Sequence, residues 1–415
     1  MGGRPITDDP SARAQLKPNP NWAKLPLFNR KNWTRVRFGD VVENLNETCD
    51  PAEAGLERVI AMEHLEPGSL HIRAWGKVAD GTTFTRRCHP GQVLFGKRRA
   101  YQRKVAVAEF DAVVSGDIYV LAPQGDQLLP ELLPFLCLSE RFFQHAVGTS
   151  AGSLSPRTNW SSLASFEFDL PPLDQQCRIA EILWAVDENL QSAIELQFAI
   201  STAKDAFFDD ELQQSTGKNS ETLKRLGNAL SGIVAGKSPK SSSNPASNDE
   251  FGVLKVSAAG DGVFCEEENK ALLDASDFVP SLEVKPGMIL VTRCNALLAG
   301  IGRACLVEKT RPGLMLCDKT LQLVPNDELV DRDFLLQGLR RDPYRGFVER
   351  SANGTEAKNI TQETLRAAPF WIPSLSKQRA IVERLRQFAA ALIAAQKQRT
   401  SLERLRSTFI NEVVQ

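Results

Sequence analysis

A repeat of about two hundred residues is the feature that most constrains the fold of this chain of 415 residues. Segments 171–183 and 373–385 share the pattern Pro-x-Leu-x-x-Gln-x-x-Ile-x-Glu-x-Leu. At the same separation Gly152 matches Gly354, and after small gaps His89-Pro-Gly-Gln-Val-Leu94 faces Lys285-Pro-Gly-Met-Ile-Leu290. An ordered series of matches over most of each half indicates two copies of one unit, each a globular segment followed by a long helix.

The globular segments mix short β-rich runs, Pro-Gly turns and helical stretches, a mixture that predicts α+β domains. Proline-rich residues 1–30 lack apolar periodicity and are expected to form a flexible arm. The predicted organisation is an arm at 1–30, a first domain at 31–170, a first helix at 171–212, a polar linker at 213–222, a second domain at 223–372 and a second helix at 373–415.

Both predicted helices carry apolar residues in steps of three and four, the spacing of a coiled-coil seam. Residues 174–212 hold two basic and nine acidic side chains, whereas residues 376–415 hold eight basic and three acidic ones. Opposite charge favours pairing of the two helices, and the chain must return, so we expect an antiparallel pair with near two-fold symmetry and a length of roughly 57 Å. The residues expected to pair are Ile179, Ile182, Val186, Leu190, Ile381, Leu385, Phe388 and Leu392. The alternative is that each helix packs on its own globular domain.

The globular segments are close to neutral, with 15 basic and 15 acidic residues in 31–165 and 19 of each in 223–369, yet their basic residues cluster. Cations neutralise phosphates, Arg and Gln bond base edges, and an aromatic ring can stack, so these clusters predict a DNA surface. A solvated basic loop or a polar turn is the alternative for each cluster. The first-domain candidates are Lys97, Arg98, Arg99, Tyr101, Gln102, Arg103, Lys104, Ser153, Ser155, Arg157 and Asn159. The second-domain candidates are Lys237, Ser238, Lys240, Arg293, Asn295, Arg303, Thr355, Lys358 and Asn359.

Other classes of protein receive little support from the sequence. No apolar run approaches the roughly 20 residues of a membrane helix. Eight cysteines occur without a Cys-x-x-Cys pair, which favours reduced thiols and a cytoplasmic location. No metal-ligand spacing or catalytic motif is evident, and Gly232–Ser238 is one residue too short for a phosphate-binding loop. We therefore expect a chain without catalytic or metal-binding residues.

The sequence resembles the specificity subunit of type I restriction-modification systems. Four features carry the resemblance: the paired helix openings, the Pro-Gly-x-[Val/Ile]-Leu runs, the Gly-Lys-Ser-Pro turn at 236–239 and the Gly-Ile-Gly-Arg turn at 300–303. The resemblance covers about residues 31–415. Cys177 and Ala380 stand where that family often has arginine, and the arm is extra.

This resemblance implies a non-catalytic subunit with two target recognition domains, each reading half of a bipartite, asymmetric site in double-stranded DNA. It also implies docking of two methyltransferase subunits and of restriction subunits with translocase activity, in defence against phage. S-adenosylmethionine, ATP and Mg²⁺ would then be bound by those partners and no cofactor by this chain. The competing hypothesis is a protein–protein scaffold with two peptide-binding domains on a helical rod.

Overall fold

The computed structural model describes residues 26–218, 223–260, 262–354 and 358–414. The chain divides into two compact units, each containing one globular domain and part of both long helices. The first unit comprises Met1–Gln197 and Ala394–Gln415, and the second comprises Phe198–Ile393. The unit boundaries therefore lie inside the two long helices.

The globular domain of the first unit contains two four-stranded sheets and a two-stranded ribbon. Its strands are β1 (Thr34–Arg37), β2 (Val42–Leu45), β3 (Arg58–Ile60), β4 (Gly76–Lys77), β5 (Arg86–Cys88), β6 (Val93–Gly96), β7 (Val105–Val107), β8 (Ala112–Val114), β9 (Ile118–Pro123) and β10 (Glu167–Leu170). One sheet has the order β2-β9-β6-β7, and the other has the order β4-β3-β8-β5 with β3 and β8 parallel. Apolar β6 is buried at all four positions, as expected for a strand inside a sheet. The helices are α1 (Phe38–Val41), α2 (Leu133–Leu138), α3 (Glu140–Gly148) and α4 (Trp160–Ala164).

The second unit repeats this plan with a smaller second sheet. The first long helix, α5 (Leu173–Lys218), leads into it. Its strands are β11 (Lys224–Arg225), β12 (Leu230–Ala235), β13 (Gly252–Leu254), β14 (Asn269–Ala271), β15 (Ile289–Thr292), β16 (Cys294–Asn295), β17 (Ala304–Leu306), β18 (Leu314–Met315), β19 (Thr320–Pro325), β20 (Lys358–Asn359) and β21 (Pro369–Phe370). The order β12-β19-β15-β17 reproduces the first sheet of the first unit, and the second sheet has the order β14-β13-β18. The helices are α6 (Arg332–Gly338), α7 (Tyr344–Ser351), α8 (Gln362–Ala367) and the second long helix, α9 (Leu375–Val413).

A buried glutamine near the start of each long helix makes the same three hydrogen bonds in both units. Gln176 Nε2 donates to the carbonyls of Gln127 and Pro171, and its Oε1 accepts from the amide of Leu129. Gln378 does the same with Leu329, Pro373 and Asp331. Both glutamines are 0% exposed. This agreement explains in physical terms why glutamine recurs at this place in the repeat.

Contacts within each unit show that α5 and α9 run antiparallel. In the first unit Asp187 contacts Arg406, and Gln197 Nε2 donates to Gln396 Oε1 at 2.6 Å. In the second unit the rings of Phe207 and Phe388 lie 5.9 Å apart, and Glu211 pairs with Lys377 Nζ at 3.3 Å. Residues later in α5 thus contact residues earlier in α9. The predicted α+β fold with a tandem repeat and two long antiparallel helices is confirmed.

Each long helix also packs into the globular core of both units. Its apolar residues therefore contact the domains as well as the other long helix. Ile179, Leu183 and the α9 residues Phe409, Ile410 and Val413 belong to the core of the first domain. In the second domain the core contains Ile381, Val382 and Leu385 of α9 together with Phe208 of α5. Val186 and Leu190 are buried, whereas Phe388 and Leu392 are half-buried. Ile182 remains 37% exposed and lies outside this buried set, so the prediction that it pairs the helices is wrong.

Two of the predicted boundaries differ from the structure. The first helix continues to Lys218 instead of ending at 212, because Leu212 packs on the second-domain core and Ser215 accepts a 2.7 Å hydrogen bond from Lys377. Residues 26–30 are not a free arm. Phe28 is buried against Phe409 at 5.1 Å, and Arg30 donates to the carbonyl of Glu412 at 2.7 Å. Residues 1–25 of the arm and 219–222 of the linker lie outside the described residues.

Candidate nucleic-acid interface

Two basic segments that are far apart in sequence come together in the first domain. The basic loop 97–104 connects β6 to β7, and the loop 151–157 is closed by two backbone hydrogen bonds of 3.0 Å between Ala151 and Arg157. The amide of Arg99 donates to the carbonyl of Pro156 at 2.7 Å, and the amide of Thr158 donates to that of Lys97 at 3.1 Å. The cations of both segments therefore belong to one surface.

The basic loop is held in an unusual backbone conformation. Arg99 and Arg103 have φ angles of 53° and 55°, in the left-handed region that non-glycine residues rarely adopt. They flank the 3₁₀ turn Ala100–Gln102, in which Ala100 is buried and Tyr101 is 56% exposed. Strain of this kind persists where surrounding contacts over-determine the backbone, and it is concentrated at functional sites. The turn presents the ring of Tyr101 to solvent.

Asp117 organises the arginines of this surface. Its Oδ2 accepts from Arg98 NH1 at 3.2 Å, and its Oδ1 accepts from Arg157 Nε at 2.8 Å. Burial would raise the pKa of Asp117, but the hydrogen bonds from Arg157 and Arg98 hold it below its ordinary value. Ser155 Oγ accepts from Arg98 at 3.1 Å and from Arg99 at 3.3 Å. A carboxylate and a hydroxyl thus hold three cations in place.

Several other first-domain candidates have contacts within the protein. Burial and the nearby charge of Arg86 lower the pKa of Lys97, whose Nζ lies 4.8 Å from the ring centre of Tyr119. Arg103 pairs with Glu140 at 2.6 Å, and Lys104 Nζ donates to the carbonyl of Met62 at 2.6 Å.

The remaining first-domain candidates lie on the same two loops or directly after them. Gln102 is half-buried and Ser153 is exposed. Asn159 caps α4 by accepting from the amide of Ser162 at 2.8 Å, the role that Thr361 has for α8 in the second unit.

The second domain brings its own candidates together in the same way. Strand β16 (Cys294–Asn295) pairs with β20 (Lys358–Asn359), and the amide of Ile360 donates to the carbonyl of Arg293 at 2.9 Å. The amide of Arg293 donates to the carbonyl of Lys319 at 3.0 Å, just as the amide of Lys97 donates to that of Asp117 at 3.0 Å. Lys319 is exposed, and in the described part of the chain the Arg293 guanidinium has no hydrogen-bond partner.

The Gly-Lys-Ser-Pro turn lies beside this region. The amide of Lys237 donates to the carbonyl of Leu316 at 3.0 Å, and Ser238 Oγ donates to the carboxylate of Asp318. A Cβ at Gly236 would lie 2.2 Å from the carbonyl oxygen of Leu316, so only glycine permits this close approach. Lys237 and Lys240 are exposed.

Three second-domain candidates have internal roles. Arg303 donates to the carbonyls of Ala299 and Gly260 at 2.8 and 3.0 Å. Asn295 Oδ1 accepts from the amide of Leu297 at 3.0 Å, and Lys358 Nζ donates to the carbonyl of Gly354 at 2.6 Å. Asn359 is exposed, and Thr355 lies outside the described residues.

The sequence interpretation missed Asp117 and Lys319, which occupy the same place in the two copies. A search for cations passes over an acidic residue, and Lys319 stands alone in sequence. The signal was available, because the two positions are separated by the same interval as Gly152 and Gly354. Alignment of the repeat marks them as equivalent residues of opposite charge.

The structure also bears on the other classes considered. Within the described ranges, no group of His, Cys, Asp and Glu side chains is arranged to hold a metal ion. Nor does any helix there combine the length and apolar character needed to cross a membrane. All eight cysteines are free thiols.

A family model described as the type I restriction modification DNA specificity domain matches residues 30–197 and 226–404. The specificity subunit of the type I restriction enzyme EcoEI from Escherichia coli is 34% identical over 167 residues, which are 40% of this chain and 28% of that protein. The MjaVIII specificity subunit from Methanocaldococcus jannaschii is 21% identical over 410 residues, 92% of each protein.

Solved structures give the same fold. A chain from a study of complex assembly and conformational transition of the type I R-M system has a TM-score of 0.55 at 20% identity, covering 92% of this chain and 97% of that one. The S subunit from M. genitalium has a TM-score of 0.53 at 14% identity, covering 92% and 96%. Because the family model covers more than half of the sequence in two consecutive segments, the chain belongs to the family of type I restriction-modification DNA specificity domains.

Proposed function

We propose that this chain reads a bipartite, asymmetric site in double-stranded DNA, with one globular domain for each half-site. The observation that carries the proposal is the assembly of separate basic segments into one surface at equivalent places of both domains. The surfaces differ in their side chains, so the two half-sites are expected to differ in sequence.

The long helices are proposed to fix the spacer between the half-sites and to dock two methyltransferase subunits. Restriction subunits complete the complex. S-adenosylmethionine, ATP and Mg²⁺ are assigned to those partners, and the complex acts in the cytoplasm, where free thiols stay reduced. The likeness to specificity subunits supports these assignments.

Methylome sequencing tests this proposal directly. A strain that expresses the chain together with a type I methyltransferase subunit should carry one split methylated motif that disappears when the chain is omitted. A methylome without any motif that depends on the chain would contradict the proposal.

A protein–protein scaffold is the competing function, and salt dependence separates the two. DNA binding through phosphate contacts weakens steeply as salt rises, with a slope of about −0.9 in log affinity against log salt for each phosphate neutralised. Binding of the assembled complex to duplex DNA should show this dependence, whereas a scaffold has no affinity for DNA to lose.

A further inference from the structure

The guanidinium of Arg157 is fixed at Nε, whereas its two terminal nitrogens lack a partner among the described residues. Its Nε donates to Asp117 Oδ1 at 2.8 Å, and its side chain is 51% exposed. Neither terminal nitrogen has a hydrogen-bond partner among the residues that the structure describes. A guanidinium fixed at Nε presents its two terminal nitrogens as a fork of donors toward solvent.

The surroundings of Arg157 restrict the position of that fork. Asp117 is itself anchored by Arg98, and its side chain is only 19% exposed. The backbone of Arg157 is fixed by the two hydrogen bonds that close the loop with Ala151. Arg98 differs, because its two terminal nitrogens already donate to Asp117 and Ser155. Arg157 is therefore the better presented of the two arginines that Asp117 holds.

Among the four bases, guanine has the major-groove edge that matches this fork of donors. A fork of two parallel N–H donors suits the O6 and N7 acceptors of guanine in the major groove, and it can also bind two oxygens of a phosphate. We propose that Arg157 reads a guanine in the half-site bound by the first domain, and that Asp117 is the positioning residue that orients it. This inference rests on the proposed DNA-recognition function and deepens it to one residue and one base.

The test uses the assembled complex and a duplex that carries the methylated motif of the wild-type chain. Each guanine of the half-site is replaced in turn by 7-deazaguanine, which removes the N7 acceptor and keeps Watson–Crick pairing. One replacement should weaken wild-type binding, by less than the roughly 5- to 150-fold of a complete bidentate base contact because O6 stays in place. For R157A the same replacement should have no effect.

Arg157→Lys separates base reading from phosphate binding, because lysine keeps the charge but lacks the fork. R157K should bind a duplex without the motif as the wild type does, while its preference for the guanine falls toward that of R157A. Equal loss on both duplexes would assign Arg157 to a phosphate and overturn the inference.

Asp117→Asn tests the positioning role by a readout that a merely structural role would not move. Removing the negative charge should leave or increase affinity for the duplex without the motif, while guanine preference falls. Asp117→Glu, which retains the carboxylate, should restore part of that preference. Asp111→Asn is the matched control, since Asp111 pairs with Arg87 at 3.0 Å on the same domain, and guanine preference should not change.

Failure of this inference is distinguishable from failure of the proposed function. A split motif that depends on the chain, together with an R157A variant that keeps full preference at every guanine, would refute only the role of Arg157. Parallel loss of both affinities in D117N at unchanged folded fraction would refute the positioning role of Asp117.

Discussion

The two candidate DNA surfaces share a backbone framework and differ in the charge at its centre. Asp117 in the first domain and Lys319 in the second accept the same backbone hydrogen bond at 3.0 Å from Lys97 and Arg293, respectively. The carboxylate of Asp117 holds Arg98 and Arg157 in fixed orientations, whereas Lys319 adds an exposed cation near Arg293. Oriented arginines suit base edges and exposed lysines suit phosphates. A repeated scaffold can thus carry two readers that divide base and phosphate contacts differently.

The largest expected effect on stability comes from a substitution in the buried ion pair of Asp187 and Arg406, which belongs to the first unit. Asp187 is 0% exposed and is contacted by Arg406 and by His71 Nε2 at 2.9 Å. Arg406→Ala would leave a buried carboxylate with one partner and should destabilise the first unit by about 3–5 kcal/mol. Denaturant unfolding followed by hydrogen exchange in each unit measures this change.

The second unit provides the control for that prediction. Lys377 and Glu211 form a helix–helix ion pair there, at another position of the repeat, and both side chains are about 30% exposed. Lys377→Ala should cost about 1 kcal/mol or less, because a partly solvated pair contributes little. Equal losses for R406A and K377A would contradict the assignment of a buried anchor to the first unit alone.

The buried glutamines should instead behave alike in the two units. Gln176→Ala and Gln378→Ala each remove three hydrogen bonds and leave buried backbone groups unpaired, so each should destabilise its own unit by about 2–4 kcal/mol. Thermal and denaturant unfolding compare the two variants. Exposed Gln387 is the control, and Gln387→Ala should change stability by about 0.5 kcal/mol at most. Strongly unequal effects of Q176A and Q378A would argue against equivalent frameworks.

A smaller effect is expected in the pH dependence of the first unit. The hydrogen bond to Asp187 raises the pKa of His71 above 6.5, although burial opposes it. Burial would raise the pKa of Asp187, but the hydrogen bond from His71 and the charge of Arg406 hold it below 3.8. The contribution of His71 to the stability of the first unit is therefore present below pH 6.5 and is lost as pH rises through the raised pKa. The aspartate contribution is present above pH 3.8 and is lost as pH falls through the lowered one.

Unfolding measured from pH 5 to pH 8 checks this linkage. Wild-type stability of the first unit should fall toward the alkaline end, and His71→Gln should remove that part of the slope. The second unit serves as an internal control. An unchanged slope in H71Q would mean that His71 does not titrate against Asp187.

The smallest expected effect concerns the salt dependence of DNA binding. Lys319→Ala removes one exposed cation from the second surface and should lower the salt slope by about one, equally for duplexes with and without the motif. Lys270→Ala, at an exposed position on β14, should leave the slope unchanged. A loss confined to the motif would show that Lys319 reads a base.

The repeat, the α+β domains and the antiparallel helices were predictable because they depend on periodic patterns and on matched spacing. The extent of α5 was not, since the polar residues after Leu212 give no apolar signal and are held by single contacts such as Ser215 with Lys377. The packing of Phe28 on Phe409 could not be predicted from the sequence either, because it joins residues near opposite ends of the chain.

At the candidate site the sequence could indicate clusters of cationic residues but not the partners of each one. Clusters of Lys and Arg are visible in sequence, but whether each cation is free or paired depends on contacts across the fold. Arg103 with Glu140 and Arg157 with Asp117 are examples. Asp117 and Lys319 become visible only when the two copies are compared position by position.

The central claim is that each domain reads its own half of one DNA site. The most direct measurement is the methylome of cells that express the complex with wild-type chain or with R157K. The account predicts that one half of the split motif relaxes at a guanine, while the other half and the spacer length stay unchanged. Simultaneous relaxation of both halves, or a changed spacer with intact half-sites, would contradict it.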